Sequence, residues 1–335
     1  MDVLEGLNDA QKQAVETTAG PLLVLAGAGS GKTKTLTHRI AYLLAHERVW
    51  PNEILSVTFT NKAAREMRER LAHLTRQENS RRFMPWMGTF HGICVRILRM
   101  DGEHIGVPQN FIIYDEDDRQ GLIKQAMKQL SIGTDKVKPR AVSSAISNAK
   151  NDLLTPDEYA ANANYPFQQS VAKIYDTYER LRREAGALDF DDLLLLPYLL
   201  FQKSPEILRK WQNAFDFILV DEAQDTNWIQ FELMKLMSGN VDHPDQKGAN
   251  ITLIGDDFQS IYGWRGALME NFLNVKQYRP DIQMFKLQTN YRSKPHIVNA
   301  GNAVIKQNKN QYEKNIVAHR EGNDKITIFN HNTDI

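Results

Sequence analysis

Short apolar runs, each handing over to a polar cluster, recur along the chain. Leu22–Leu25, Ile54–Phe59, Phe217–Val220, Ile251–Ile254 and Met284–Leu287 are too brief for helices. Bounded by Gly, Pro or polar residues, they have the pattern of buried strands. Between them apolar residues return at helical spacing, as at Leu36, Ile40, Leu43 and Leu44. Strand and helix in alternation predict an α/β fold, a parallel sheet flanked by helices. In such a sheet ligands collect outside the C-terminal ends of the strands, so five polar ends are expected to share one cleft.

The stretch from about Ile93 to Ala187 breaks this rhythm. Strand-like runs nearly vanish and helical signals take over. Asp115 and Asp118 precede Leu122, Ile123, Ala126, Met127 and Leu130 as in a capped amphipathic helix. Thr155-Pro156-Asp157-Glu158 has capping-box spacing with proline at the first helical position. Val171, Ile174, Tyr175, Tyr178 and Leu181 form an apolar stripe that reads as core. The segment is expected to be an all-helical insertion in which nothing signals chemistry. Near the N-terminus, Asn8 or Asp9 is expected to cap a helix that includes Gln11–Val15.

Composition narrows the class. At 335 residues with 42% hydrophobic and 24% charged positions, the chain has room for two or three ordinary globular units and no disordered bias. The single Cys94 allows no intrachain disulfide and no cysteine zinc site, which suits a reducing cytoplasm. No secretory signal pattern is expected at the N-terminus. The longest apolar run, Leu193–Phe201, contains Pro197 and is too short to span a membrane. With 41 basic and 41 acidic residues there is no overall basic footprint, so any contact with nucleic acid must rest on local residues. Seven Lys/Arg stand against three Glu between Lys62 and Arg82, but a solvated helix face accounts for that as well as phosphate contacts do.

The chemistry begins at Pro21–Ile40. A strand runs into Ala26-Gly27-Ala28-Gly29-Ser30-Gly31 and then Lys32-Thr33 at the start of a helix. This is the arrangement of a phosphate-binding loop, whose small residues let backbone N–H groups crowd around phosphate oxygens. The strict pattern has glycine where Ala26 stands. Lys32 is placed for the β- and γ-phosphates and Thr33 for Mg²⁺. Asp221, at the end of the FILV strand, is a second handle on the metal, and Glu222 beside it can orient or deprotonate an attacking water. In Gly255–Ala267, the uncharged Gln259 is able to bridge phosphate or water to another group. Tyr262 and Trp264, set among Gly, Ser and Arg265, make a credible base-stacking surface.

Taken together, these segments resemble the superfamily 1 DNA helicases of the UvrD, Rep and PcrA kind. AGAGSGKT (26–33) matches that family's form of the loop, which accounts for Ala26. TFTNKAAREM (58–67), TFH (89–91), LDFDDL (188–193), VDEAQDTN (220–227), QSIYGWRGA (259–267) and NYRS (290–293) follow in family order. KNDLLTP and LDFDDLLLLP look most like the Rep branch. The resemblance implies ATP and Mg²⁺ as cofactors. Gln11 would contact the adenine edge, with Arg39 and Tyr291 on the two faces of the base. Gln259 would sense the γ-phosphate, and Arg292 would act as an arginine finger. Phe59, Thr60, Asn61, Thr89, His91, Tyr262, Trp264 and Arg265 would line a single-stranded DNA track; taken alone, His91 reads as an ordinary loop histidine.

The implied architecture is a RecA-like ATP-binding domain at 1–92 and 188–280, a helical insertion at 93–187, and the start of a second RecA-like domain at 281–335, including a strand-like KITIF (325–329). Family members usually carry Tyr at the position of Ala223, Asp at that of Phe258 and Glu-Gln at that of Gln288-Thr289. Each difference touches a segment that couples ATP to DNA. The family's later Lys-Gly-Leu-Glu and Thr-Arg-Ala segments do not occur here, as expected of an N-terminal fragment. The implied function is ATP-driven 3′-to-5′ movement on single-stranded DNA and at duplex junctions, in the cytoplasm and away from membranes. This chain alone is expected to bind ATP and hydrolyse it weakly without unwinding. A non-catalytic single-stranded-DNA-binding or partner-docking module is the alternative. A small-molecule kinase would have no use for Tyr262–Trp264.

Overall fold

The computed structural model describes residues 2–80, 82–239, 250–261, 263, 267–322 and 325–327. In chain order its elements begin with α1 (Asp9–Glu16), β1 (Leu22–Ala26), α2 (Lys32–His46), β2 (Ile54–Thr58), α3 (Asn61–Thr75) and β3 (Met87–Thr89). There follow α4 (Phe90–Asp101), β4 (Ile112–Ile113), α5 (Glu116–Gln129), α6 (Pro139–Asn151), α7 (Pro156–Ala161) and α8 (Pro166–Glu184). Next come β5 (Ala187–Leu188), α9 (Asp192–Lys203), α10 (Pro205–Ala214), β6 (Phe217–Val220), α11 (Trp228–Met237) and β7 (Asn250–Gly255). The last are α12 (Met269–Leu273), α13 (Val275–Tyr278), β8 (Gln283–Leu287), β9 (Thr289–Asn290), α14 (Pro295–Ile305) and β10 (Val317–Ala318).

Two units emerge. The first comprises Met1–Thr89, Gln212–Asn227 and Ser238–Ile335, and the second Phe90–Trp211 with Trp228–Met237. In the first unit six strands pair in parallel in the order β3-β2-β6-β7-β1-β8. Strands β1, β2 and β6 are buried along their whole length, which is why they read as continuous apolar runs. Leu36, Ile40 and Leu43 of α2 join Val24, Ile54 and Leu219 in one core. The register sets Leu25 beside Gly255, Val220 beside Leu253, and Thr58 beside Thr89. The residues that follow β1, β2, β6 and β7 therefore emerge along one edge.

Two domain boundaries differ from expectation. Gln283–Leu287, expected to open a second domain, pairs with β1 and completes the first sheet. Beyond it β9, α14 and β10 form a βαβ unit around a separate two-stranded parallel sheet. The helical unit also reaches past 187, because the apolar LLLLPYLLF run is helix α9, packed on α4 and α11. Of KITIF, residues 325–327 hold no regular element and the remainder lies outside the described residues.

The helical unit keeps the expected caps. Asp115 caps α5 with Asp118 closing the box, and Thr155 caps α7 with Glu158. The Val171–Leu181 stripe is buried against α5 and α6. Sequence patterning did not disclose what lies beneath it. Lys150, 1% exposed, places Nζ 2.7 Å from each of Glu179, Asp189 and Asp192. Arg182 adds ion pairs to Glu179 and Asp192, and the Tyr178 hydroxyl donates to Asp189 at 2.6 Å. The three carboxylates gather as they would around a cation, and the Lys150 ammonium supplies that charge.

Candidate functional site

The loop after β1 is shaped by two glycines in the left-handed region, Gly29 (φ 65°) and Gly31 (φ 84°). A side chain at either position would be strained there, and a Cβ on Gly29 would fall 2.8 Å from the Cβ of Arg292. Gly31 caps α2, so the loop delivers Lys32 and Thr33 at the positive end of a 15-residue helix. The Ser30 hydroxyl is buried without a partner among the described residues. Such a cradle suits phosphate oxygens.

Lys32 Nζ lies 2.6 Å from Glu222 Oε2. Next to this pair, the Thr33 hydroxyl donates to Asp221 Oδ2 at 3.4 Å. Asp221 is nearly fully buried. Desolvation and the neighbouring Glu222 charge push its carboxyl up to about 6, against a smaller opposing pull from Lys32. A buried carboxylate in that state gains from a divalent cation, and Thr33 stands beside it as a hydroxyl ligand, so the pair fits Mg²⁺. Burial and Glu222 also push Asp225 up to about 6. Glu222 itself has φ 51°, an unusual backbone conformation for a residue with a side chain, and it occurs at the turn that presents the carboxylate.

From Glu222 a hydrogen-bonded relay runs along the strand ends. Gln224 Nε2 donates to Glu222 Oε2 at 3.0 Å, while Gln224 Oε1 accepts from the Asp256 backbone N–H at 3.0 Å. Asp256 Oδ2 in turn accepts from Gln259 Nε2 at 2.8 Å. Gln224 was not among the residues singled out from the sequence. Its place two residues after Glu222 in VDEAQD was the available signal.

The adenine-side expectations divide. Gln11, buried in α1, donates from Nε2 to Ser30 O at 2.9 Å and closes a capping box with Asn8. Asn8 Nδ2 donates to the Tyr291 hydroxyl at 2.7 Å, and Tyr291 stays partly exposed. Asn290 and Tyr291 are docked on the loop: Asn290 Nδ2 donates to Ala28 O at 2.7 Å and the Tyr291 N–H to Gly29 O at 3.0 Å. Arg39 does not join them. It is 1% exposed and donates to the carbonyls of Ala14, Val15 and Thr17 and to the Thr252 hydroxyl. Its guanidinium ties the end of α1 to β7 and has no free face for a base. Lys34, in the first turn of α2, is half-exposed, and its Nζ donates to Gly6 O at 2.6 Å.

The residues expected to line a DNA track fall on both units and partly outside the described residues. Phe59, Thr60 and Asn61 follow β2, and Thr89 ends β3 beside Thr58. The Thr60 hydroxyl caps α3 by accepting from the Ala63 N–H. His91 belongs to the helical unit, where its ring meets Phe190 edge-on at 5.9 Å and burial lowers its pKa. Tyr262, Trp264 and Arg265 lie outside the described residues. Arg292 is exposed beside the loop, its backbone N–H fixed by Asn290 Oδ1 at 2.8 Å. Among the unusual positions, Ala223 is buried in the turn after Glu222, Phe258 carries the Lys314 ammonium 3.9 Å from its ring centroid, and Gln288 accepts from the Asn315 N–H.

Comparison with known proteins shows the family. Residues 7–280 match the UvrD/REP helicase N-terminal domain family. A protein named ATP-dependent DNA helicase PcrA from Leuconostoc citreum is 44% identical over 98% of this chain and 43% of its own length. Proteins of the same name from Staphylococcus epidermidis (45% identical) and Staphylococcus aureus (44%) match 98% of the chain, covering 44% and 43% of their lengths. The chain thus spans less than half the length of these relatives. The branch detail is PcrA-like, where KNDLLTP and LDFDDLLLLP suggest Rep. Among the described residues, no helix is long and apolar enough to cross a membrane.

Proposed function

The chain belongs to the UvrD/REP helicase family, and on that premise we propose that it binds Mg²⁺·ATP at the C-terminal edge of its six-stranded sheet. Hydrolysis there is coupled to 3′-to-5′ movement on single-stranded DNA. The carrying observation is the Lys32–Glu222 ion pair at 2.6 Å beside the Thr33–Asp221 contact. It supports the reading because the groups proposed to bind phosphate, activate water and hold the metal lie close together.

Thr33 and Asp221 would hold Mg²⁺, which when bound neutralises charge between the β- and γ-phosphates. Lys32 leaves Glu222 for the phosphate oxygens, since the ammonium cannot serve both at full strength. Glu222, so released, accepts the proton of the attacking water. Gln259 is linked to Glu222 through two residues, Gln224 and Asp256, a path by which it would report the occupancy of the site. Arg292, on the segment docked against Ala28 and Gly29, supplies charge to the leaving group. Gln11 and Tyr291 keep the places at the base expected of them, and Lys34, which meets Gln11 at Gly31, is the proposed cation there in place of the buried Arg39. Phe59, Thr60, Asn61, Thr89, His91, Tyr262, Trp264 and Arg265 remain the proposed DNA contacts.

The test is phosphate release from the 335-residue chain with Mg²⁺·ATP, with and without oligo-dT. The reading requires release that oligo-dT accelerates and that Glu222→Gln abolishes. Release that survives Glu222→Gln overturns it.

A further inference from the structure

Lys314 lies between α14 and β10, and its side chain is fully buried. The ammonium donates to Asp256 Oδ1 at 2.6 Å and to Asp257 Oδ1, over the ring of Phe258. Tyr312 closes the other side, its N–H donating to Asp257 Oδ2 at 2.7 Å and its hydroxyl to Leu273 O. A buried ion pair is weak evidence for stability, because apolar residues of equal volume often serve as well. Its partners point to a different use.

Asp256 is the residue that holds Gln259. One carboxylate oxygen takes the Lys314 ammonium and the Phe258 N–H, and the other takes Gln259 Nε2 at 2.8 Å. With Lys314 in place the carboxylate cannot turn, so the Gln259 amide has a fixed acceptor. Three residues beyond Lys314, Val317 and Ala318 pair with Thr289 and Asn290. Asn290 Oδ1 accepts from the Arg292 and Ser293 N–H groups, and its Nδ2 donates to Ala28 O. A short stretch of backbone therefore joins the clamp on Gln259 to the strand pair that presents Arg292.

We propose that Lys314 is a positioning residue of the nucleotide site. It fixes Asp256, and through it Gln259, and ties that setting to the β9–β10 pair that carries Arg292. The inference rests on the ATPase reading given above. The ion pairs of Lys314 among the described residues are to Asp256 and Asp257, outside the loop proposed to bind phosphate, so its loss acts on turnover and spares nucleotide affinity.

The experiment compares wild type, Lys314→Met/Asp257→Asn, Gln259→Ala and the triple combination. The Asp257 change avoids leaving two uncompensated carboxylates in the interior. Affinity for a fluorescent ATP analogue and single-turnover hydrolysis with Mg²⁺ and oligo-dT are measured separately. The expected result is affinity within about threefold of wild type and a rate lower by about tenfold or more, with no further loss when Gln259→Ala is added, as for residues acting as one unit. Asp256→Asn, which leaves one acceptor oxygen for the donors now sharing two, is expected to give the same split and serves if the double variant does not fold. An unchanged rate, or losses that add to those of Gln259→Ala, overturns the role of Lys314 alone. A wild-type chain without turnover overturns the ATPase reading and this role with it.

Discussion

Lys32 and Glu222 follow β1 and β6, strands that are not neighbours in the sheet, yet their charged ends meet at 2.6 Å across the end of β7. The pair is partly buried, so each charge is strengthened by the other and by limited access to water. On the proposed function, phosphate must compete with Glu222 for the ammonium, and Glu222→Gln removes that competitor along with the proposed base. Affinity for ATP in the variant is expected to rise several-fold in a titration with a fluorescent analogue, while hydrolysis falls by about 10² or more, as for loss of a general base. Weaker binding in Glu222→Gln would mean that the pair builds the site and does not compete for it.

Asp221 gives the pH dependence. Its carboxyl stands at about 6 in the folded chain against 3.8 as a free group. A raised acid favours folding below the free value, and that contribution is lost as pH climbs through about 6. A shift of this size corresponds to about 3 kcal/mol. In the absence of nucleotide, Asp221→Asn is therefore expected to be more stable than wild type to urea at pH 7.5, with the difference shrinking toward pH 4.5. The same variant should lose stabilisation by Mg²⁺·ATP. For wild type, Mg²⁺·ATP affinity should fall as pH drops below 6, because the protonated carboxyl cannot hold the metal.

Most of this sheet was legible because its strands are buried on both faces. FILV and ILSVT could be read as strands without any periodicity argument, and the loop between Ala26 and Thr33 announces itself through glycines that the backbone requires. Gln224, Lys314 and the Lys150 cluster were not legible. Gln224 has a local partner in Glu222, but its link to Asp256 spans 32 positions, that of Lys314 to Asp256 spans 58, and those of Lys150 span up to 42, distances that no local pattern discloses. Arg39 was expected at the base only through the family resemblance, and its helical position turns it into the core. The apolar LLLLPYLLF run also hid its allegiance, since a buried helix in either unit would look the same.

Arg39 and Lys34 can be separated. Arg39→Met strips the donor from three backbone carbonyls, and the loss is expected to be at least about 2 kcal/mol in urea unfolding, the scale of unsatisfied buried groups. The folded fraction should bind ATP as wild type does. Lys34→Ala should leave stability nearly unchanged and weaken ATP relative to inorganic tripolyphosphate. The opposite pattern, with Arg39→Met losing discrimination for the base, would return Arg39 to the adenine.

The helical unit supplies a stability test independent of nucleotide. Lys150→Met leaves Glu179, Asp189 and Asp192 crowded around an apolar stem, with only Arg182 in direct ion pairs and Arg119 nearby to compensate. Breaking a buried ion cluster by removing one partner costs about 3–5 kcal/mol. The deficit should shrink as pH falls from 8 to 5, because Asp192, already pushed up to about 7 by burial and by Asp189, can neutralise itself by protonation. A deficit that is small or independent of pH would show that the cluster is not what holds α6, α8 and α9 together.

On the proposed function, the loop from Ala26 to Thr33 binds the phosphates of ATP through Lys32. The most direct test is the Mg²⁺·ATP affinity of Lys32→Ala, measured by equilibrium titration on a variant shown to unfold in urea as wild type does. Loss of the ammonium from a charge-assisted contact with phosphate should weaken binding by about tenfold or more. Affinity equal to wild type would contradict the assignment of this site.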